Sequence, residues 1–147
     1  MRRIESYEAM LDFGGEIAKK LRVGDLVVLS GELGAGKTAL TQGIGREFEI
    51  SSITSPTFVI SRLYNGKVPL LHVDAYRLLQ SGSAKLEFDD LDLGANLDKS
   101  ITVIEWGSEV APLLKDEFLE LRITFAGNDV RLVESIPHGD RWQGFEL

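Results

Sequence analysis

An α/β domain, with helices packed on a mixed and partly antiparallel sheet, is the fold class that this sequence predicts. Two observations carry it. The short apolar run "DLVVLSG" leads through a glycine-rich turn into the helically spaced "KTALTQGIGREF", the pattern of a buried strand followed by a packed helix. Two later pairs of β-rich runs are each separated by turn residues, "NG" and "AGND", which adds antiparallel strands to that unit.

The elements follow in order. Ser6 is a candidate N-cap for a first helix. Met10, Phe13, Ile17, Ala18 and Leu21 keep helical spacing, with Gly14 on the same face and Gly24 as the stop. "DLVVLSG" is short, β-branched and apolar throughout, as a strand buried on both faces should be. In the second helix Leu40, Ile44 and Phe48 recur every fourth position. "TFVISRLY" and "KVPLLHVD" read as strands joined through Asn65-Gly66, a dipeptide suited to a type I′ turn with positive φ at both central residues. "AYRLL" suggests a short helix, and "EFDDLDLGANLDKS" suggests loop and helix pieces. "SITVIEW" is a further strand. Ser108 is a candidate cap for a short helix near Pro112. "FLELRITF" and "VRLVESI" form the second hairpin. No repeat or low-complexity segment interrupts this order, and 147 residues suit a single domain spanning residues 1–147.

Composition narrows the function classes. The apolar fraction is 44% and the charged fraction 27%, ordinary for a soluble globular domain. The absence of cysteine excludes disulfides and thiolate metal sites and is compatible with a reducing cytosol. No apolar run reaches the roughly 18 residues of a membrane span. "MRRIESYEAM" lacks the apolar core of a secretory signal, so a cytoplasmic location is expected. The net charge is −7 without a basic cluster, which disfavours stable direct binding of nucleic acid and leaves a basic partner surface open.

The sharpest motif is G-x-x-x-x-G-K-T at Gly31, Gly36, Lys37 and Thr38. Gly31, Gly34 and Gly36 allow the backbone to turn successive N–H groups toward one anion. Lys37 brings a positive charge to β- and γ-phosphates. Thr38 offers a hydroxyl to Mg²⁺, and the helix adds its positive dipole end. Placed between a buried strand and a helix, the motif predicts a P-loop NTPase-like three-layer fold that binds a nucleotide with Mg²⁺.

Such a loop needs carboxylates to hold the metal and to order the attacking water. "LLHVD" ends at Asp74 and "ITVIE" ends at Glu105, each at the carboxyl end of an apolar strand where α/β sheets bind ligands. Spacing leaves open which of the two holds the metal. Trp106 suits a stacking or partner-contact group, and core or edge packing nearly as well. Thr54, Ser55 and Thr57 stand where a nucleotide-sensing loop would, with Pro56 stiffening the turn, although composition alone favours a polar turn leading into a strand. His72 reads as a packed or hydrogen-bonded histidine rather than a catalyst. Arg77 fits a phosphate contact, a partner contact or a surface ion pair.

The guanine signature Asn-Lys-x-Asp is absent, since "NLDK" has the wrong order, which favours adenine nucleotides. Between Asp74 and Ile101 only Arg77, Lys85 and Lys99 are basic, which argues against the arginine-rich lid of a small-molecule kinase. A nucleotide-dependent binding switch without catalytic duty remains the alternative, beside such a kinase.

Taken together, "LSGELGAGKTALTQGI", "SPTF", "HVDAYRL" and "IEWG", in this order and at these distances, resemble the TsaE (YjeE) family. That family comprises small bacterial ATPases of tRNA threonylcarbamoyladenosine synthesis. The resemblance runs from about Ser6 to Val133 and weakens around Gln80 to Asp89 and beyond Val133. It implies a cytoplasmic ATPase that uses ATP/ADP and Mg²⁺. It further implies that hydrolysis is slow alone and arises with the partner proteins TsaB and TsaD. By match, Lys37 and Thr38 are the phosphate-loop lysine and Mg²⁺ ligand. Glu105 is implicated in Mg²⁺ binding, and Asp74 in hydrolysis with a place at the metal. The nucleotide contacts so implied are Glu32, Leu33, Gly34, Ala35, Gly36, Lys37, Thr38 and Ala39, with Thr57 in a switch-like loop, Trp106 near the nucleotide and Ser6 near the base. The tail around Arg141 and Trp142 receives no role.

Overall fold

The computed structural model describes residues 1–55, 61–76 and 93–147. The strand segment "TFVI", the helix "AYRLL" beyond its first two residues, and residues Thr57 and Arg77 lie outside the described residues. The elements are β1 (Arg2–Ile4), α1 (Tyr7–Ala18), β2 (Leu26–Ser30), α2 (Lys37–Glu47), β3 (Ser61–Tyr64), β4 (Leu70–Asp74), α3 (Leu93–Leu97), β5 (Ile101–Glu105), α4 (Ala111–Leu114), β6 (Phe118–Phe125) and β7 (Arg131–His138). A short 3-10 turn covers Asp140–Trp142.

The described strands form one seven-stranded sheet in the order β1-β7-β6-β2-β5-β4-β3. β2 pairs in parallel with β5 and β6, and β4 pairs in parallel with β5. The edges β3, β7 and β1 are antiparallel. This is the mixed α/β sheet that the sequence predicts.

The apolar run of β2 serves both faces. Val27 and Leu29 join the cluster under α1 and α2, with Phe13, Ile17, Leu40 and Ile44. Leu26 and Val28 join the opposite cluster, with Leu93 of α3 and Ala111 of α4. Helices thus cover both faces, and each fully buried aliphatic side chain contributes roughly 1.5–3 kcal/mol. β3, β4 and β5 lie on one side of β2 and the chain crosses to β6 on its other side after β5, so the strand order changes direction at β2, the place where such sheets bind ligands at their carboxyl ends.

Several local expectations change. Helix α1 starts as expected, with the Ser6 hydroxyl accepting from Ala9 N–H at 3.1 Å. It stops at Ala18, so Leu21 lies past its end, and Gly24 (φ 92°) turns the chain into β2 instead of ending the helix. β1, too short for any periodicity, exists only through its pairing with β7. Ser108 does not cap α4: its hydroxyl donates to Glu120 Oε1 at 3.2 Å, and the N-cap of the helix is Val110, with Pro112 in its first turn.

The first hairpin forms, but without a type I′ turn. Tyr64 pairs with Leu70, and neither Asn65 nor Gly66 has a positive φ. The loop instead docks on the end of α2, where Lys67 N–H donates to the Phe48 carbonyl at 2.8 Å. A Cβ on Gly66 would collide with that carbonyl and with Ile50. Gly66 is there for close approach, not for a left-handed turn.

The unassigned tail is a staple at the opposite pole from the phosphate loop. Arg141 donates to Asp25 Oδ1 (3.1 Å) and Oδ2 (2.8 Å) and to the Lys20 carbonyl (3.0 Å), while Trp142 is buried in the α1–α2 cluster.

A substitution at Gly66 separates the two turn readings. Gly66→Ala is expected to destabilise the protein by roughly 1–3 kcal/mol in urea unfolding, because the added methyl meets backbone. Asn65→Ala is expected to stay within about 0.5 kcal/mol, since that residue is exposed and needs no positive φ.

Candidate functional site

The site begins where β2 runs out. Gly31 (φ 143°) lies so close to the Ile123 carbonyl of β6 that any Cβ would collide with it. Gly36 (φ 109°) is the N-cap of α2 and supplies no side-chain cap. The first N–H groups of α2 therefore point out of the helix end without an intrahelical partner, at its positive dipole end.

Lys37 is buried at the floor of this loop. Its Nζ donates to the carbonyls of Gly31 and Glu32, each at 2.8 Å, and lies 3.9 Å from the Trp106 ring centroid. Burial lowers its pKa below the usual lysine range, opposed by the negative charges of Glu105 and Asp74. Two carbonyls and an indole face thus hold a buried cation, with two carboxylates acting on it at longer range. Glu32 participates through its carbonyl, which also accepts from Ala35 N–H at 3.1 Å.

Parallel pairing of β4 with β5 sets Asp74 opposite Glu105 at the same carboxyl edge. Glu105 is 4% exposed, and its Oε1 accepts from Thr38 Oγ1 at 3.2 Å and contacts His72 Nε2 at 2.9 Å. Asp74 Oδ1 accepts from Tyr76 N–H at 2.9 Å. Burial raises the Asp74 pKa above the usual carboxylate range; the Tyr76 N–H opposes this, and Glu105 adds to it.

The strand expected through Trp106 ends one residue earlier. Trp106 takes φ 62°, rare for a bulky residue, and its N–H donates to the Leu29 carbonyl at 2.9 Å. This reversal lays the indole over Lys37 and beside Tyr76, whose ring centroid is 5.2 Å away. The ring contacts of Trp106 with Lys37 and Tyr76 place it beside the loop.

A cavity of about 500 Å³ gathers Leu33, Gly34, Gly36, Lys37, Thr38, Ala39, Asp74, Glu105 and Trp106, with Tyr7, Ser55 and Tyr76. A neighbouring cavity of about 360 Å³ shares Tyr7, Gly34, Gly36 and Ala39 with it. There lie Ser6 and Ala35, and also Asp129 and Arg131 at the β6–β7 hairpin. Thr57 lies outside the described residues. Tyr7, Tyr76, Asp129 and Arg131 were not expected at the site. Tyr7 and Tyr76 stand beside Ser6 and Asp74 in the chain, a local signal that was available. Arg131 arrives only through strand pairing, which leaves no local mark.

A phosphate-loop turn between a central parallel strand and a helix, with strand-end carboxylates alongside, defines a P-loop NTPase-like α/β protein. A crystal structure of YdiB from Bacillus subtilis superposes with a TM-score of 0.75 at 29% identity, covering 97% of this chain and 87% of that one. Within that class the chain belongs to the TsaE family: the family model, described as threonylcarbamoyl adenosine biosynthesis protein TsaE, matches residues 4–133. The tRNA threonylcarbamoyladenosine biosynthesis protein TsaE of Streptomyces coelicolor is 48% identical over 141 residues, 90% of this chain and 93% of that one. The Mycobacterium tuberculosis protein of the same name is 43% identical over 123 residues, 79% of this chain and 73% of its own. The Bacillus subtilis one is 36% identical over 122 residues, 82% and 74%.

The raised Asp74 pKa has a measurable consequence. The folded carboxyl holds its proton to a higher pH than the unfolded one, so stability falls as pH rises from the ordinary value of 3.8 through the raised one. Asp74→Asn keeps an acceptor for Tyr76 and removes the charge. It is expected to raise Tm at pH 7, with the gain vanishing below the ordinary carboxylate range in a pH series of thermal melts.

Proposed function

We propose that this chain takes part in tRNA threonylcarbamoyladenosine biosynthesis as its ATP-binding and ATP-hydrolysing subunit, working in the cytoplasm. Hydrolysis is weak in the isolated chain and activated by the partners TsaB and TsaD. The observation that carries the reading is the link from Thr38 Oγ1 to Glu105 Oε1 at the mouth of the phosphate loop. It joins the first turn of α2 to the strand edge that also bears Asp74.

The donors present fit Mg²⁺, which usually takes one or two carboxylates and completes its shell with phosphate oxygens and water. Thr38 and Glu105 would hold it, with Asp74 adjacent; bound there, it would draw charge from the β- and γ-phosphate oxygens. The helix end and Lys37 neutralise the same phosphates, after Lys37 leaves the Gly31 and Glu32 carbonyls. Asp74, with its raised proton affinity, suits orienting the attacking water and taking its proton. The smaller cavity beside Ser6 and Tyr7 offers room for base and ribose.

Dependence on partners is supported by the rim. Leu33 (88% exposed), Tyr7 and Tyr76 are large apolar groups left in water around the cavity. A partner laid over them would exclude water from the reacting phosphate. The acidic chain without a basic cluster leaves the tRNA to those partners. Among the described residues no helix is long and apolar enough to cross a membrane.

ATP turnover by the purified chain, alone and with TsaB and TsaD, tests this. A low basal rate is expected, with a rise of tenfold or more in the complex, on the order of 1.4 kcal/mol in the barrier. Asp74→Ala should lower the activated rate by roughly 10²–10⁴-fold while leaving ATP binding intact. Full turnover in Asp74→Ala would instead mark a different catalytic group, and phosphate transfer to a metabolite by the chain alone would mark a kinase.

A further inference from the structure

His72 occupies the middle of β4 between Leu71 and Val73 and has no exposed surface. An aliphatic residue would fill such a position without burying polar atoms. The imidazole does bury them: Nε2 lies 2.9 Å from Glu105 Oε1, and Nδ1 has no hydrogen-bond partner among the described residues. The Nε2 contact spans the parallel β4–β5 pair and reaches two residues along β5 from the register partner of His72, since His72 aligns with Val103 and Asp74 with Glu105.

The tautomer follows from the donors and acceptors. As a carboxylate, Glu105 can only accept, so the proton must sit on Nε2. Nδ1 is then a bare lone pair. The opposite tautomer would set a lone pair against the carboxylate and bury an N–H with nothing to receive it, which is the costlier arrangement. Two donors therefore converge on one oxygen, Nε2–H from β4 and Oγ1–H from Thr38 in α2. Thr38 can turn its hydroxyl elsewhere when a ligand arrives; the buried ring cannot.

We propose that His72 is a positioning residue, whose Nε2–H holds the Glu105 carboxylate in place against Thr38 so that the metal side of the nucleotide cradle is formed before any ligand binds. This rests on reading Glu105 and Thr38 as the Mg²⁺ side of the site. His72 itself touches neither nucleotide nor metal. It acts as outer hydrogen-bond partners of metal ligands generally do, by orienting the ligand and removing its freedom. The helical face of the site is fixed by the backbone of the phosphate loop, and Glu105 on the strand face is held by this buried hydrogen bond.

The test is the Mg²⁺ dependence of binding of a fluorescent ATP analogue to the full chain. Wild type is expected to bind the analogue more tightly with Mg²⁺, and Glu105→Gln to lose most of that gain. His72→Leu should raise the half-saturating Mg²⁺ concentration about tenfold or more while binding of the metal-free analogue stays unchanged. His72→Gln, whose amide N–H reaches the place of Nε2–H, should restore the wild-type midpoint. A His72→Leu midpoint equal to wild type, with Glu105→Gln still shifted, overturns the proposal and leaves the site reading standing. A wild type indifferent to Mg²⁺ overturns both. Should His72→Leu fail to fold, long-range ¹H–¹⁵N correlation on the wild type decides: a proton on Nε2 with Nδ1 bare is expected, and a proton on Nδ1 overturns the proposal.

Discussion

Lys37 and Glu105 are buried, and Asp74 half-buried, together at one edge of the sheet, and the rest of the site is organised around tolerating that. Each such charge carries a desolvation penalty of several kcal/mol unless something nearby compensates. The compensation is specific. Lys37 has two carbonyls, an indole face and two carboxylates at longer range. Glu105 has a hydroxyl and an imidazole. Asp74 accepts from the Tyr76 N–H, but burial, with the Glu105 charge adding to it, outweighs that bond and raises its affinity for a proton. A highly charged anion entering this place would find a cation and unpaired N–H groups already there.

The same constraint explains the backbone around the site. Trp106 accepts a left-handed conformation, a strain of order 1–3 kcal/mol, and the reward is an aromatic face over a buried ammonium. Gly31 and Gly36 accept angles that bring the loop against β6 and open the end of α2. These features lie at the carboxyl ends of β2, β4 and β5, three of the four mutually parallel strands among the described residues. At the other pole, Arg141 and Asp25 tie the tail to the turn entering β2. The rigid body of the domain thus holds strained parts that would not persist alone.

What could be read from the sequence was what is local. β2, the phosphate loop and α2 are contiguous and carry their own apolar period and glycines, so they appear as expected. Asp74 and Glu105 were legible because each ends an apolar run. What depended on pairing was not. β1 has three residues and no pattern apart from its partner. Asn65-Gly66 carried a turn signal that docking against Phe48 overrode. Ser108 had the chemistry of a cap and found a stronger partner in Glu120. His72 looked like a core residue, and it is one; that its ring reaches Glu105, 33 residues away, depends on the register of two strands. Trp106 showed its identity but not its direction, which a single φ angle decides.

The family match spans residues 4–133, from β1 to the middle of β7. Within it the helical side of the cradle, Lys37 and Thr38, meets the strand side, Asp74 and Glu105. The most direct measurement is a crystal structure of this chain with Mg²⁺ and a non-hydrolysable ATP analogue. The account expects the terminal phosphates within the Gly31–Thr38 loop, Lys37 Nζ moved from the Gly31 and Glu32 carbonyls onto phosphate oxygen, and the metal between Thr38 and the strand-end carboxylates. A nucleotide bound elsewhere, or Lys37 still locked on its carbonyls with phosphate present, would contradict it.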